Sequence, residues 1–329
     1  IPHSPSKVSD FVTISLGVIS MVPTSTSDLI EFQSKAERCL TQAKEQGKNC
    51  IHEFDFENDV AIKQQYRELE YISKGFNNKE FVLYYQPKIN MKTNEIIGLE
   101  ALIRWQHPTE GLLPPFRFLP YIEGSSMEIE LGKWVIDQAI KQLNEWRSIG
   151  ITIPISVNVS PLQLQHEDFI KQLNEVLFLN NNFQAGQLEF EILESSIIKD
   201  TQHIADVINQ CKQYGICFSL DDFGTGYSSL SYLRKLMTDA VKIDKSFVID
   251  MLEDMDDQAI VKSIIELSKT FGRSVIAEGV ETKEHGEQLL KMGCYKAQGF
   301  GIARPMTACA VPAWIQLWNS SPPWICARI

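Results

Sequence analysis

The chain has no Cys-x-x-Cys pair and no even set of cysteines. Its seven cysteines (Cys39, Cys50, Cys211, Cys217, Cys294, Cys309, Cys326) are scattered along 329 residues. That argues against a disulfide scaffold and against a zinc knuckle. No apolar run approaches the roughly 20 residues needed to cross a bilayer, and no basic–apolar–small signal segment opens the chain. Positive charge is in deficit: 31 Lys and Arg stand against 42 Asp and Glu, a formal charge of −11. A basic face for a nucleic-acid polymer is therefore not expected, although metal ions could still invert the local sign at a small anionic ligand. Internal repeats and low-complexity tracts are missing. So are a Gly-rich phosphate loop, a Val-Ala-Ile-Lys strand and a His-Arg-Asp motif, which removes a kinase reading of Asp222-Phe-Gly. What is left is a globular composition, 44% apolar. The expected compartment is the reducing cytoplasm, for a free protein or for the cytoplasmic part of a membrane-anchored one.

The chain divides near residue 55. Phe11 to Ser20 is β-branched and apolar and is expected as a strand. Ser27 and Asp28 are placed to cap a helix on which Leu29, Phe32, Ala36, Leu40 and Ala43 recur at helical spacing, with Gly47 as its stop. About 50 residues with one strand and one helix bury little core alone. Residues 1–55 are therefore expected to be the end of a domain whose front lies upstream. Residues 56–78 are charged, with Tyr66, Leu69 and Ile72 on one face, and are expected as a linker helix.

From residue 79 to 329, strand and helix patterns alternate. Apolar β-rich runs occur at 81–85, 96–105, 153–159, 188–193, 216–220, 240–243, 274–277 and 294–298. Amphipathic segments at 131–146, 169–179, 201–214, 258–271 and 283–292 separate most of them. Eight strands with covering helices fit an α/β fold, a TIM-like (β/α)8 barrel, better than an open doubly wound sheet. The first two runs are joined by the polar turn Asn90–Asn94 with no helix, so that pair should be an antiparallel hairpin.

Polar residues recur at or just past the ends of these strands. Asp221-Asp222 follows a buried-strand pattern and precedes Phe223-Gly224-Thr225-Gly226. Adjacent carboxylates repel unless cations sit beside them; the alternative is an N-cap on a helix from Ser228. Glu191 and Glu194 stand in a strand end that is either a ligand site or a solvated edge. Asn158 and Glu100 interrupt apolar strands, and a buried amide or carboxylate needs partners. Lys242, between Val241 and Ile243, is costly in a strand unless paired. Arg104 shares the face of Glu100 and could meet a phosphate. Glu278 and Gln298 each stand before a glycine. His107 is expected in a loop, without a ligand role.

Together these residues resemble a family. Glu100-Ala101-Leu102 with Arg104-Trp105, Val157-Asn158, Glu191-x-x-Glu194, Asp221-Asp222-Phe-Gly-Thr-Gly-Tyr-Ser-Ser, Val241-Lys242-Ile-Asp244, Ala277-Glu278-Gly-Val-Glu281 and Gln298-Gly-Phe are similar to the EAL-domain cyclic di-GMP phosphodiesterases, in order, from about Tyr84 to Met306. Residues 11–53 resemble the end of a GGDEF (diguanylate cyclase) domain, without the Gly-Gly-Asp-Glu-Phe motif itself. The resemblance implies hydrolysis of one phosphodiester bond of cyclic di-GMP to give linear pGpG, by two-metal activation of water in bacterial second-messenger signalling. The alternative is a catalytically silent cyclic di-GMP receptor or a regulatory scaffold.

Carried over, Glu100, Asn158, Glu191 and Asp221 would hold one metal. Asp221, Asp222 and Glu278 would hold the second, with Gln298 approaching it or the substrate. Glu100, Lys242 and Glu278 would be catalytic, with Lys242 orienting the attacking water. Arg104 would bind substrate phosphate, and Glu194 would brace the Asp-Phe-Gly-Thr-Gly loop, which the family couples to a homodimer interface. All-oxygen ligands select Mg²⁺ or Mn²⁺ over zinc, and Ca²⁺ is expected to occupy the site and inhibit. The chain departs from the family at Ile122-Glu123-Gly124-Ser125-Ser126. Its aromatic tail (Trp314, Trp318, Pro322, Pro323, Trp324) is expected to pack on the barrel.

Overall fold

The computed structural model of the protein describes residues 13–20, 28–180, 183–194, 201–226 and 234–320. The chain separates into two compact units, residues 1–71 and 72–329. The boundary falls inside the helix Phe56–Asn77, the segment expected as a linker.

In the first unit, strands β1 (Leu16–Val18) and β2 (Ile51–Glu53) pair in parallel. The helix Leu29–Glu45 joins them. Asp28 caps it, its carboxylate accepting from the Ile30 N–H at 2.9 Å. Ser27, Phe11 and Val12 lie outside the described residues. Only the middle of the expected strand is in the ladder. Gly17 is there because the strand lies directly on the helix: a Cβ at this position would collide with the backbone of Ala36 and Leu40. Cys39 and Ala43 fill the same contact and are buried.

The second unit is a closed barrel. Its strands are β3 (Phe81–Asn90), β4 (Glu95–His107), β6 (Ile155–Asn158), β7 (Leu188–Leu193), β8 (Cys217–Phe223), β9 (Ala240–Ile243), β10 (Ser274–Ala277) and β11 (Lys296–Gln298). They pair in the order 3-4-6-7-8-9-10-11, and β11 returns to β3. Two short strands, β5 (Gly111–Leu113) and β12 (Met306–Thr307), extend β4 and β3 at their outer edges. Strand β3 runs antiparallel to both neighbours, and the others pair in parallel around the ring. The hairpin expected at Asn90–Asn94 thus sets the one reversed strand, with Asn94 in the left-handed region to make the turn.

Helices cover the ring. Ser126–Ser148 buries Met127, Leu131, Val135, Ile136, Ala139, Ile140, Leu143 and Trp146, an i, i+3, i+4 stripe that lies against the sheet. Phe169–Leu179, Thr201–Gln213, Met255–Thr270 and Lys283–Met292 follow the strands in turn. The segment that departs from the family becomes a left-handed turn at Gly124 followed directly by this first long helix. The tail helix Val311–Ser320 closes the end opposite the mouth. Trp318 donates its indole N–H to the Asn94 carbonyl at 2.7 Å, and Trp314 stacks on it at 5.2 Å. Pro322, Pro323 and Trp324 lie outside the described residues.

Candidate active site

The carboxyl ends of the parallel strands converge on Lys242. This side chain projects from β9 into the barrel and is fully buried. Its Nζ meets Glu191 Oε2 at 2.5 Å, Glu278 Oε1 at 2.7 Å, Asp221 Oδ1 at 3.0 Å and Glu100 Oε2 at 3.6 Å. Residues from β4, β7, β8, β9 and the end of β10 therefore share one point.

Local structure explains how each arrives. Consecutive strand residues normally face opposite sides, so adjacent aspartates should not serve one site. Here β8 slips against β9: Leu220 pairs with Val241, and Phe223, three residues on, pairs with Ile243, only two on. The extra residue is a bulge, a device that re-aims side chains. Asp222 within it takes a left-handed φ of 51°. Asp221 and Asp222 therefore sit inside the strand. Ser228, the start of the alternative helix, lies outside the described residues. Glu194 holds the turn that follows, its Oε2 accepting from the Gly224 N–H at 3.0 Å. Tyr227, Ser228 and Ser229 are outside the described residues.

Amides complete the ring. Asn158 Nδ2 donates to Glu100 Oε1 at 2.9 Å, and Gln298 Nε2 donates to Glu100 Oε2 at 2.6 Å and to Gln86 Oε1 at 3.0 Å. Gln298 Oε1 is buried without a hydrogen-bond partner among the described residues. Such an orphan acceptor is costly unless a ligand meets it. Close backbone packing seats the end of β11. A Cβ at Gly299 would strike the Val280 backbone, and the Val280 N–H donates to the Gln298 carbonyl at 3.0 Å.

The cluster carries more negative charge than one lysine offsets, and its proton affinities show it. Burial, with the charges of Glu191 and Asp221, lifts the Glu100 carboxyl to about 7 against the pull of Lys242. Burial, with Asp221 and Glu100, lifts Glu278 to about 8. Burial, Asp221 and Asp244 lift Asp222 to about 6. Glu191 is the exception. Burial works against its charge, but Lys242 and Lys88 outweigh it and hold the carboxyl near 2. Burial would also weaken Lys242 as a base, yet Glu100, Glu191, Glu278 and Asp221 hold its ammonium well above the usual lysine range. It stays charged and can donate hydrogen bonds but not accept a proton.

The donor set fits a hard divalent cation. It is all oxygen, and ligand atoms of Asp221, Asp222 and Glu278 lie within 4.8 Å of one another. Beside the carboxylates opens a cavity of about 510 Å³, lined mainly by apolar side chains such as Phe116, Leu119, Leu131 and Val135 and reaching Asn158 and Glu191. Arg104 borders this mouth without entering the cluster. Its guanidinium lies over the Tyr84 ring at 5.9 Å, and Nη1 donates to the Ile103 carbonyl at 2.8 Å.

Two features escaped sequence reasoning. Lys88 lies on β3, buried, with Nζ 3.0 Å from Glu191 Oε1, and Gln86 is tied to Gln298. The apolar run stopped at Tyr85, and Pro87 masked its continuation. The reasoning applied to Lys242, a lysine inside a strand, would have found Lys88 had β3 been carried through the proline. His107 is not a loop residue either. It ends β4, buried, and its Nδ1 accepts from the Glu110 N–H at 2.9 Å.

The EAL domain family matches residues 69–305. The chain belongs to this family. The EAL chain is 34% identical over 308 residues to MucR of Pseudomonas aeruginosa, a bifunctional diguanylate cyclase/cyclic di-GMP phosphodiesterase, covering 93% of this chain and 45% of the relative. It is 36% identical over 304 residues to the cyclic di-GMP phosphodiesterase PdeR of Escherichia coli, covering 92% and 46%. It thus spans less than half the length of these curated relatives. Among solved structures, the EAL barrel is similar to the MucR phosphodiesterase in its c-di-GMP complex, with a TM-score of 0.71, 36% identity, and 74% of this chain and 99% of that one covered. It is also similar to the EAL enzyme Bd1971 in its cAMP- and cyclic-di-GMP-bound form, with a TM-score of 0.75, 32% identity, and coverage of 88% and 77%.

Proposed function

We propose that this EAL barrel hydrolyses cyclic di-GMP to linear pGpG using two divalent cations, Mg²⁺ or Mn²⁺. The observation that carries the reading is the excess of carboxylate around Lys242: Glu100, Glu191, Asp221, Asp222 and Glu278 against one ammonium at the mouth. Such a set binds cations and has little other use. Glu100, Asn158, Glu191 and Asp221 would hold one ion, and Asp221, Asp222 and Glu278 the other. Bound, they supply Lewis acidity to the phosphodiester and to the attacking water.

The chain's own groups do the rest. Lys242, charged and surrounded by acceptors, orients the water and steadies negative charge at phosphorus. Glu278, whose Oε1 lies 2.7 Å from Lys242 Nζ, would act beside it as general base toward the attacking water. Gln298 offers its free Oε1 to the mouth, Arg104 meets a phosphate oxygen from the rim, and the apolar cavity takes a guanine base. A homodimer through the barrel belongs to the same reading, with Glu194 bracing the loop toward that interface. So do residues 1–55 as the end of a GGDEF-type domain, since the matches to MucR and PdeR reach beyond residues 69–305. A reducing cytoplasm fits the free thiols of Cys39, Cys50, Cys211, Cys217, Cys294 and Cys309. No helix among the described residues is long and apolar enough to cross a membrane.

Incubation with cyclic di-GMP and Mn²⁺, followed by chromatography, is expected to yield pGpG, with Ca²⁺ inhibiting. Nucleotide binding without cleavage would leave only a receptor. Proton linkage gives a second expectation. The folded chain keeps protons on Glu100 up to about 7 and on Glu278 up to about 8, whereas an ordinary glutamate releases them near 4.5. That stabilisation is full below the unfolded value and is lost as pH rises through the folded ones. In EDTA the unfolding temperature should therefore fall between about pH 5 and 8. Saturating Mn²⁺ should flatten or reverse the slope, because ions bind once those protons leave. A midpoint that rises with pH in EDTA over this window would contradict the assignment.

A further inference from the structure

Glu191 has an ammonium on each of its carboxylate oxygens. Its Oε2 faces Lys242 and the other acids, while Oε1 is held by Lys88 at 3.0 Å. Lys88 is itself aimed. Its Nζ bonds Ser156 Oγ at 2.9 Å and Glu189 Oε2 at 3.3 Å, and its stem lies against Gly98, where a Cβ would stand 3.1 Å from Lys88 Cε. Glycine at that position of β4 makes room for the lysine. Its ammonium sits in the barrel interior, below the mouth, and approaches the cluster only through Oε1. A buried lysine with this many dedicated contacts is expensive unless the pairing does something.

We propose that Lys88 is a positioning residue for the metal site: it holds Glu191 by Oε1 from inside the barrel, so that Oε2 stays presented at the mouth for a divalent ion. The proposal rests on the cation-dependent reading above. Lys242 cannot do this work, because its ammonium is surrounded by the same oxygens an ion needs. Lys88 touches none of the mouth-facing ones. Its contact with Oε1 leaves the second oxygen of Glu191 to the mouth.

The competing account makes Lys88 the counter-ion of Glu189. The double variant Lys88→Met/Glu189→Gln separates the two, because it removes that pair together and leaves no unpaired charge at Glu189. Metal-free protein is titrated with Mn²⁺ and the free ion is read by electron paramagnetic resonance. The Mn²⁺ dissociation constant is expected to rise about tenfold, the usual scale for losing a partner that orients a ligand. The KM for cyclic di-GMP at saturating Mn²⁺ should stay near the wild-type value, since Lys88 does not face the mouth. A rise in the Mn²⁺ constant of less than about threefold, well short of that scale, overturns the proposal. So does an equal loss of Mn²⁺ affinity and KM, which marks general damage to the barrel. If the double variant does not fold, Gly98→Ala, whose Cβ would stand 3.1 Å from Lys88 Cε and so displaces the lysine stem, decides by the same titration: weaker Mn²⁺ binding supports the role and unchanged binding overturns it. Wild-type protein that binds Mn²⁺ but leaves cyclic di-GMP uncut defeats the phosphodiesterase reading alone, while failure to bind Mn²⁺ defeats both.

Discussion

Lys242→Ala is expected to lower turnover of cyclic di-GMP by about a hundred- to a thousandfold, the scale seen when one buried charge-stabilising donor is removed from an active site. Nucleotide affinity should change little, because Nζ is already ringed by the carboxylates of Glu100, Glu191, Asp221 and Glu278. The same change exposes the site's electrostatic imbalance. Four carboxylates within 3.6 Å lose their shared cation. Stripping one partner from a buried ion cluster costs about 3–5 kcal/mol, so the EDTA-treated variant should unfold far below the wild type. Mn²⁺ should restore much of the stability and none of the turnover. Kinetics and melting curves in EDTA and Mn²⁺ check both halves. Unchanged turnover would remove Lys242 from the chemistry.

Glu100→Ala should abolish measurable hydrolysis and weaken Mn²⁺ binding at the same time. Glu100 does more than present an oxygen. Each of its carboxylate atoms accepts from an amide, Oε1 from Asn158 and Oε2 from Gln298. The near-isosteric Glu100→Gln is therefore expected to be almost as damaging. One of its two positions becomes an N–H facing another N–H. Either that donor pair is unsatisfied, or Asn158 turns its amide over and takes Oδ1 away from the mouth. Steady-state rates for both variants test this. Retained hydrolysis in Glu100→Ala would refute the metal role, and a Gln variant with near wild-type activity would refute the paired-amide argument.

Much of this cluster was legible because its polar residues interrupt apolar strands. Asn158, Glu100 and Lys242 stand out for that reason alone, and β7 and β9 have the ends their apolar runs predict. The ring topology followed from counting strands and from one hairpin without a helix. Legibility failed where backbone irregularity carries the information. The bulge at Asp221-Asp222 has no composition of its own, so the pair could equally have been a cap. Strand β3 continues through Pro87 because the residues beyond it, Lys88 and Ile89, are buried inside the closed barrel, and local propensity does not record that. Short β5 and β12 exist only because longer neighbours offer an edge. The boundary between the two units falls within a continuous helix, which has no loop to mark it.

Gln298, on the closing strand, reaches across to Gln86 and Glu100 on the opening two. The seam of the barrel and the wall of the catalytic mouth are thus the same three side chains. A growing polypeptide that has already made Glu100, Asn158, Glu191 and both aspartates still holds Glu100 by one amide instead of two. The second amide arrives with β11, in the same step that seals the ring.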